Sequence, residues 1–187
     1  MKKTYFSILA VMITAMFISG CLTCEKKEYS FVFTGENSGR LTIKYINLLS
    51  TMDDGEDISE DDFQVLLNDY YEGAEIENEF PNATVVEKRL FEENGVLCGE
   101  IIFEFDDLAA ANLYRYKGTG PIMYCLSCFS IDTEYYDESN GVYGGDIMPV
   151  VFWEAELKKL RLTTDVTTPD ETTVSLLDAY YNWEAGQ

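Results

Sequence analysis

The segment TVVEKRLFEENGVLCGEIIFEF, residues 84–105, constrains the fold most. Two runs rich in β-branched and aromatic residues flank Asn94-Gly95, a dipeptide that tolerates positive φ at both central positions of a two-residue turn. The pattern predicts an antiparallel hairpin, and a lone hairpin is marginal in water, so further strands must cover it. The chain supplies them. YSFVFT, the turn GENSG and RLTIKYINL, with Leu41, Ile43 and Tyr45 on one face, predict another hairpin. IMYCLSCFSI reads as a buried strand, Asn140-Gly141 as the turn of a third hairpin, and VVFW and LKKLRLTTDV as later strands. Between the first two hairpins, Ser59 and Asp62 have capping-box spacing, and Phe63, Leu66, Leu67 and Tyr70 repeat with helical period until Gly73. Asp106 and Asp107 can cap a short helix LAAANLYRY. After Pro169, TVSLLDAYYNW reads as a terminal helix with Leu176, Leu177, Tyr180 and Trp183 on its apolar side. Strand pairs interrupted by helices, without βαβ alternation, indicate an α+β domain: a mainly antiparallel sheet of hairpins with two or three helices packed against it, over residues 29–187.

Upstream, Lys2 and Lys3 precede the apolar run YFSILAVMITAMFI, which is short for a span of a hydrocarbon core about 30 Å thick. That is the pattern of an export signal. ISGC, residues 18–21, places an aliphatic residue and two small residues before a cysteine, and in this it resembles the lipobox of bacterial lipoprotein precursors. The resemblance implies that residues 1–20 are removed and that Cys21 carries diacylglyceryl and N-acyl chains. Several chains bury enough methylenes to anchor a protein without a transmembrane helix. Residues 21–28, with the polar stretch CEKKE, are then expected to be a lipidated tether. The hairpin around Gly35 and Gly39, the middle helix, the long hairpin and the Phe152-Trp153 strand together also resemble LppM-type bacterial lipoproteins in layout. That resemblance implies a small exported α+β domain in the cell envelope, held on a membrane and facing the periplasm or the exterior.

Thirteen basic residues against 34 acidic ones give a formal charge of −21, which repels nucleic-acid phosphates and anionic headgroups. Nucleic acid is therefore not an expected partner. Histidine is absent, which excludes Ser-His-Asp and Cys-His nucleophile pairs and the imidazole ligands of most catalytic zinc sites. With 47% hydrophobic residues the chain is not an acidic disordered tail.

CLTC at Cys21–Cys24 and CLSC at Cys125–Cys128 invite a metal or redox reading. Lipidation of Cys21 occupies its sulfur and removes the first word from such a site. If IMYCLSCFSI is extended throughout, Cys125 and Cys128 lie roughly 10 Å apart at about 3.3 Å per residue, beyond disulfide reach. A bridge from Cys98 to Cys125 or Cys128 is then expected. Asp53, Asp54, Glu56 and Asp57 cluster around Gly55 as candidate Ca²⁺ ligands, although they depart from the EF-hand spacing; no other cofactor is called for. Tyr70-Tyr71, Tyr135-Tyr136 and Tyr180-Tyr181 suit either glycan stacking or half-buried structural positions. No catalytic residue stands out. The expectation is a non-enzymatic binding or structural module with an unknown protein or glycan partner, the alternative being a carboxylate-based enzyme acting on an envelope glycan or polymer.

Overall fold

The computed structural model describes residues 22–126, 128 and 134–187, so the expected export signal and the expected lipidation at Cys21 lie outside the described residues. The fold is α+β. β1 (Leu22–Phe33) and β2 (Gly39–Thr51) form the first hairpin, and β3 (Thr84–Glu93) and β4 (Val96–Phe105) form the second. Asn94 and Gly95 take φ values of 54° and 82°, as a two-residue turn between right-twisted strands requires. β5 (Leu113–Arg115), β6 (Ile122–Cys125), β7 (Tyr135–Ser139), β8 (Val142–Tyr143), β9 (Val150–Trp153), β10 (Lys159–Asp165) and β11 (Thr173–Ser175) follow. The large sheet runs β3-β4-β2-β1-β10-β7, with β11 beside the end of β2; the small sheet runs β5-β6-β9-β8.

Alternation explains the packing. Tyr29, Phe31 and Phe33 of β1, Leu41 and Ile43 of β2, Phe103 and Phe105 of β4, and Leu160 and Leu162 of β10 share one face of the large sheet. They bury against Ile122, Tyr124, Val151 and Trp153 of the small sheet. Farther along β2 the inward positions change phase near Asn47, whose φ of 55° breaks the strand's regular pleat. From there Leu48, with Cys24 and Leu97, is covered by helices. These are α1 (Ser59–Val65), which continues directly into a π-helical turn (Leu66–Tyr71), and α3 (Leu177–Ala185); the short α2 (Glu75–Glu79) covers the first cluster through Ile76.

Four sequence expectations change. Residues 22–28 are the first half of β1 rather than a tether, because Leu22 already pairs with Ser50 and Lys27 points inward. The helix expected in LAAANLYRY is one 3₁₀ turn, Ala109–Ala111. Asp107 does cap it, accepting from Ala110 N at 2.9 Å, but Asn112 is left-handed and Leu113 pairs with Tyr124 across the small sheet. Asn140-Gly141 joins strands of different sheets, since β7 pairs with β10 and β8 with β9. Finally, α1 lacks the Ser59–Asp62 box: its cap is Ile58, and Asp62 is buried with Ser50 Oγ donating to it at 2.6 Å.

Candidate functional site

Lys27 lies in the same odd-numbered register of β1 as Tyr29, Phe31 and Phe33, and its side chain is carried into the interior, 7% exposed. A buried ammonium is strongly unfavourable unless it is paired and hydrogen-bonded. Glu134, just ahead of β7, meets it at 3.1 Å. Both carboxylate oxygens of Glu134 are used: Tyr29 Oη donates at 2.9 and 3.0 Å, and Thr164 Oγ1 of β10 donates at 2.8 Å. The Lys27 ammonium also lies 5.5 Å from the centroid of the Tyr45 ring.

Desolvation, and after it nearby negative charge including that of Glu134, holds the phenols of Tyr29, Tyr45 and Tyr124 above their ordinary value of 10.0. Each folded value exceeds the unfolded one, so the stability these phenols contribute is complete below about pH 10 and is lost as pH rises toward the folded values. An alkaline titration followed by phenolate absorbance should show these three ionising only together with unfolding. Three phenols titrating freely in a protein that keeps its native circular dichroism would contradict this.

Beside this network the sheet and helices form a partly open cavity of about 110 Å³. Its floor is Tyr45, Leu48, Gly99 and Ile101 from β2 and β4, and its first wall is Leu22, Thr23 and Cys24. The π-helical turn roofs it. A wider turn lets the consecutive residues Tyr70 and Tyr71 both reach the cavity, and Glu72 N closes the turn on Leu67 O at 2.8 Å. Lys88 of β3 fastens the roof to the sheet, donating to the carbonyls of Tyr70 and Gly73 at 3.0 and 2.8 Å and to Glu77 at 2.9 Å. A larger polar hollow of about 440 Å³ lies over the outer face of the large sheet, around Glu28, Thr42, Lys44 and Arg161. That hollow is mainly hydrophilic, whereas the smaller cavity has mainly apolar walls with polar groups among them, the usual character of a small-molecule site.

The acidic run forms a turn and a helix entry. Asp53 and Glu56 exchange backbone hydrogen bonds at 3.1 and 2.8 Å, closing a turn whose tip, Asp54 and Gly55, has φ values of 48° and 83°. Asp57 accepts from Ser59 N at 2.9 Å. All four carboxylates are exposed, and among the described residues no group of three or more possible ligands is arranged to hold a metal. Helix entry and turn geometry account for the residues assigned to Ca²⁺.

The cysteine expectation is overturned. Cys125 is bonded to Cys128 with a Cα separation of 5.4 Å, while Cys98 and Cys24 are buried thiols. β6 stops at Cys125 and Leu126 turns, donating its N–H to Pro149 O at 2.9 Å, so the extended spacing that separated the two sulfurs does not persist. Burial also pushes the Cys98 thiol up. Alkylation of native protein without reductant should therefore leave Cys24 and Cys98 unmodified, and alkylation in denaturant should label both. Peptide mapping distinguishes this from a Cys98-linked bridge.

Two of the three tyrosine pairs converge. Tyr71 and Tyr180 each pack on Trp183, with centroids 6.3 and 5.9 Å apart, whereas Tyr136 stacks on Tyr143 in a separate region. Among carboxylates near the cavity, Glu100 is engaged by Arg89 at 2.9 Å. The pair the sequence reading missed is Lys27 with Glu134. Its only sequence signal is that Lys27 shares its alternation with three aromatic residues.

An antiparallel α+β domain whose helices close over a small apolar cavity is the class this geometry defines. No protein-family model matches the chain, nor does any curated protein or solved structure.

Proposed function

We propose that this chain is a lipid-anchored, exported module of a bacterial cell envelope that binds a small apolar group in the cavity beneath the π-helical turn, without catalysing a reaction. The observation that carries the reading is the cavity itself: its walls are mainly apolar, with Glu79 among the lining residues, and the lining cations are committed to ion pairs, Lys27 to Glu134, Lys88 to Glu77 and Arg89 to Glu100. General acid-base or nucleophilic work needs a group placed to meet a substrate rather than one locked to a partner. The anchor rests on ISGC at residues 18–21. Among the described residues no helix is long and apolar enough to cross a membrane.

The cavity is somewhat smaller than an engineered cavity of about 150 Å³ that accepts benzene. Benzene, indole and short alkanols are therefore suitable probes in a thermal-shift assay. A probe at about 100 times its Kd should add about 2.7 kcal/mol. Gly99→Val provides the control, because a Cβ at Gly99 would meet only the ends of Leu48 and Leu90 at 3.5 and 3.6 Å and Tyr45 Cβ at 4.0 Å, and the added methyls fill space. The wild type should gain melting temperature with at least one probe, and the filled variant should not. No gain with any probe removes the binding reading.

A further inference from the structure

We propose that the end of the domain formed by the start of β1, the π-helical turn and α3 rests against the bilayer that holds the anchor, with Leu22, Tyr71, Tyr181 and Trp183 at headgroup level. This rests on Cys21 being the lipidated residue. Leu22 is already hydrogen-bonded into the large sheet opposite Ser50, and one peptide unit, about 3.8 Å between Cα atoms, separates it from Cys21. An anchor with so little slack cannot hold the domain away from the surface. The interfacial zone of a leaflet is roughly 5–8 Å deep, so side chains around Leu22 lie in it or at its border.

The residues there have the chemistry of that zone. Leu22, Tyr71 and Trp183 are partly buried against the helical core cluster. Tyr71 and Leu22 line the same cavity, Trp183 meets Tyr71 edge-on at 6.3 Å, and Tyr181 stands beside Tyr180 at 6.0 Å with 44% of its surface exposed. Burial is graded outward, from Phe63 and Tyr180 inside to Tyr181 outside. Tyrosine and tryptophan, each with an apolar body and a polar tip, are the side chains enriched at membrane–water interfaces. Exposed Glu72 and Glu184 flank them, so the contact favours zwitterionic headgroups and weakens on anionic ones, less so as salt screens the repulsion. In this orientation the cavity wall made by Leu22 and Thr23 faces the lipid.

The test uses full-length protein extracted from membranes and returned to phosphatidylcholine vesicles, with a nitroxide on Tyr181→Cys or on Val142→Cys. Val142 is 70% exposed and belongs to the small sheet, away from the helices. A several-fold higher ratio of oxygen to nickel-chelate accessibility is expected at position 181 than at 142. Quenching of tryptophan fluorescence by brominated phosphatidylcholine in unlabelled protein provides a second readout that needs no substitution. Equal, water-like accessibility at both sites and no quenching, in protein that carries acyl mass on Cys21 and floats with the vesicles, overturns the proposed orientation while leaving the anchor intact. Protein that lacks acyl mass and does not float overturns both.

Discussion

Glu134→Ala is expected to cost about 3–5 kcal/mol, the range for breaking a buried ion pair by deleting one partner. The loss goes beyond one contact. Lys27 would keep a buried charge without its carboxylate, and the hydroxyls of Tyr29 and Thr164 would lose the acceptor that both share. A domain of this kind has about 5–15 kcal/mol in total, so the variant should approach unfolding at ambient temperature. Replacing both charges, as in Lys27→Met/Glu134→Leu, should recover much of the loss, because removing both ions also removes the desolvation penalty. Urea denaturation of the two single variants and the double variant forms the cycle that measures the coupling. Single variants that each cost less than about 1 kcal/mol, the level of an exposed pair, would show that this pair is solvated.

Trp153→Ala is the second large effect, about 3–5 kcal/mol. Trp153 is 1% exposed, packs on Phe31 with centroids 6.4 Å apart, and its Nε1 donates to Asn140 Oδ1 at 2.9 Å. Asn140 Oδ1 also accepts from Arg161 N at 2.7 Å, and Asn140 Nδ2 donates to Lys159 O at 2.9 Å, so one side chain ties the corner between the two sheets to both. Gly141 sits against the same ring: a Cβ there would lie 2.7 Å from Trp153 Nε1 and 2.6 Å from Phe152 O. Alanine at 153 thus opens a cavity and loosens the corner. Trp153→Phe keeps most of the volume and leaves Asn140 Oδ1 its bond from Arg161 N, so it should cost clearly less. Thermal melts of the two variants check the order; equal losses would mean that the indole hydrogen bond, and not the packing, dominates.

The parts of the fold that were legible in the sequence are those whose cause is local. Asn94-Gly95 turns because its two residues accept positive φ, whatever lies elsewhere in the chain. The spacing of Phe63, Leu66 and Leu67 announces a helix, which starts as α and widens to a π-helical turn at Leu66–Tyr71, and its end lies near a crowded Gly73, where a Cβ would lie 2.4 Å from Asp69 O. LAAANLYRY has good helix formers, yet Leu113–Arg115 gains more by pairing with β6, and that partner cannot be seen from the segment itself. The same holds for CLSC, where the end of β6 rather than the local composition brings the two sulfurs together. CEKKE looked like a solvated tether because its charges are adjacent in sequence; in the sheet they alternate, with Lys26 bound to Asp137 at 2.7 Å on the outer side and Lys27 carried inward.

For the candidate site the division is sharper. Alternation and turn chemistry, acting over a few residues, were enough to determine an antiparallel α+β domain, the hairpin at Asn94-Gly95 and the apolar faces of its strands and helices. Tertiary structure alone decided which sheet each strand joins, the pairing of Cys125 with Cys128, the cavity under the π-helical turn and the meeting of Lys27 with Glu134. That last pair is 107 residues apart in the chain. Burial gives such a contact its energy, and burial is a property of the assembled sheet and not of either segment.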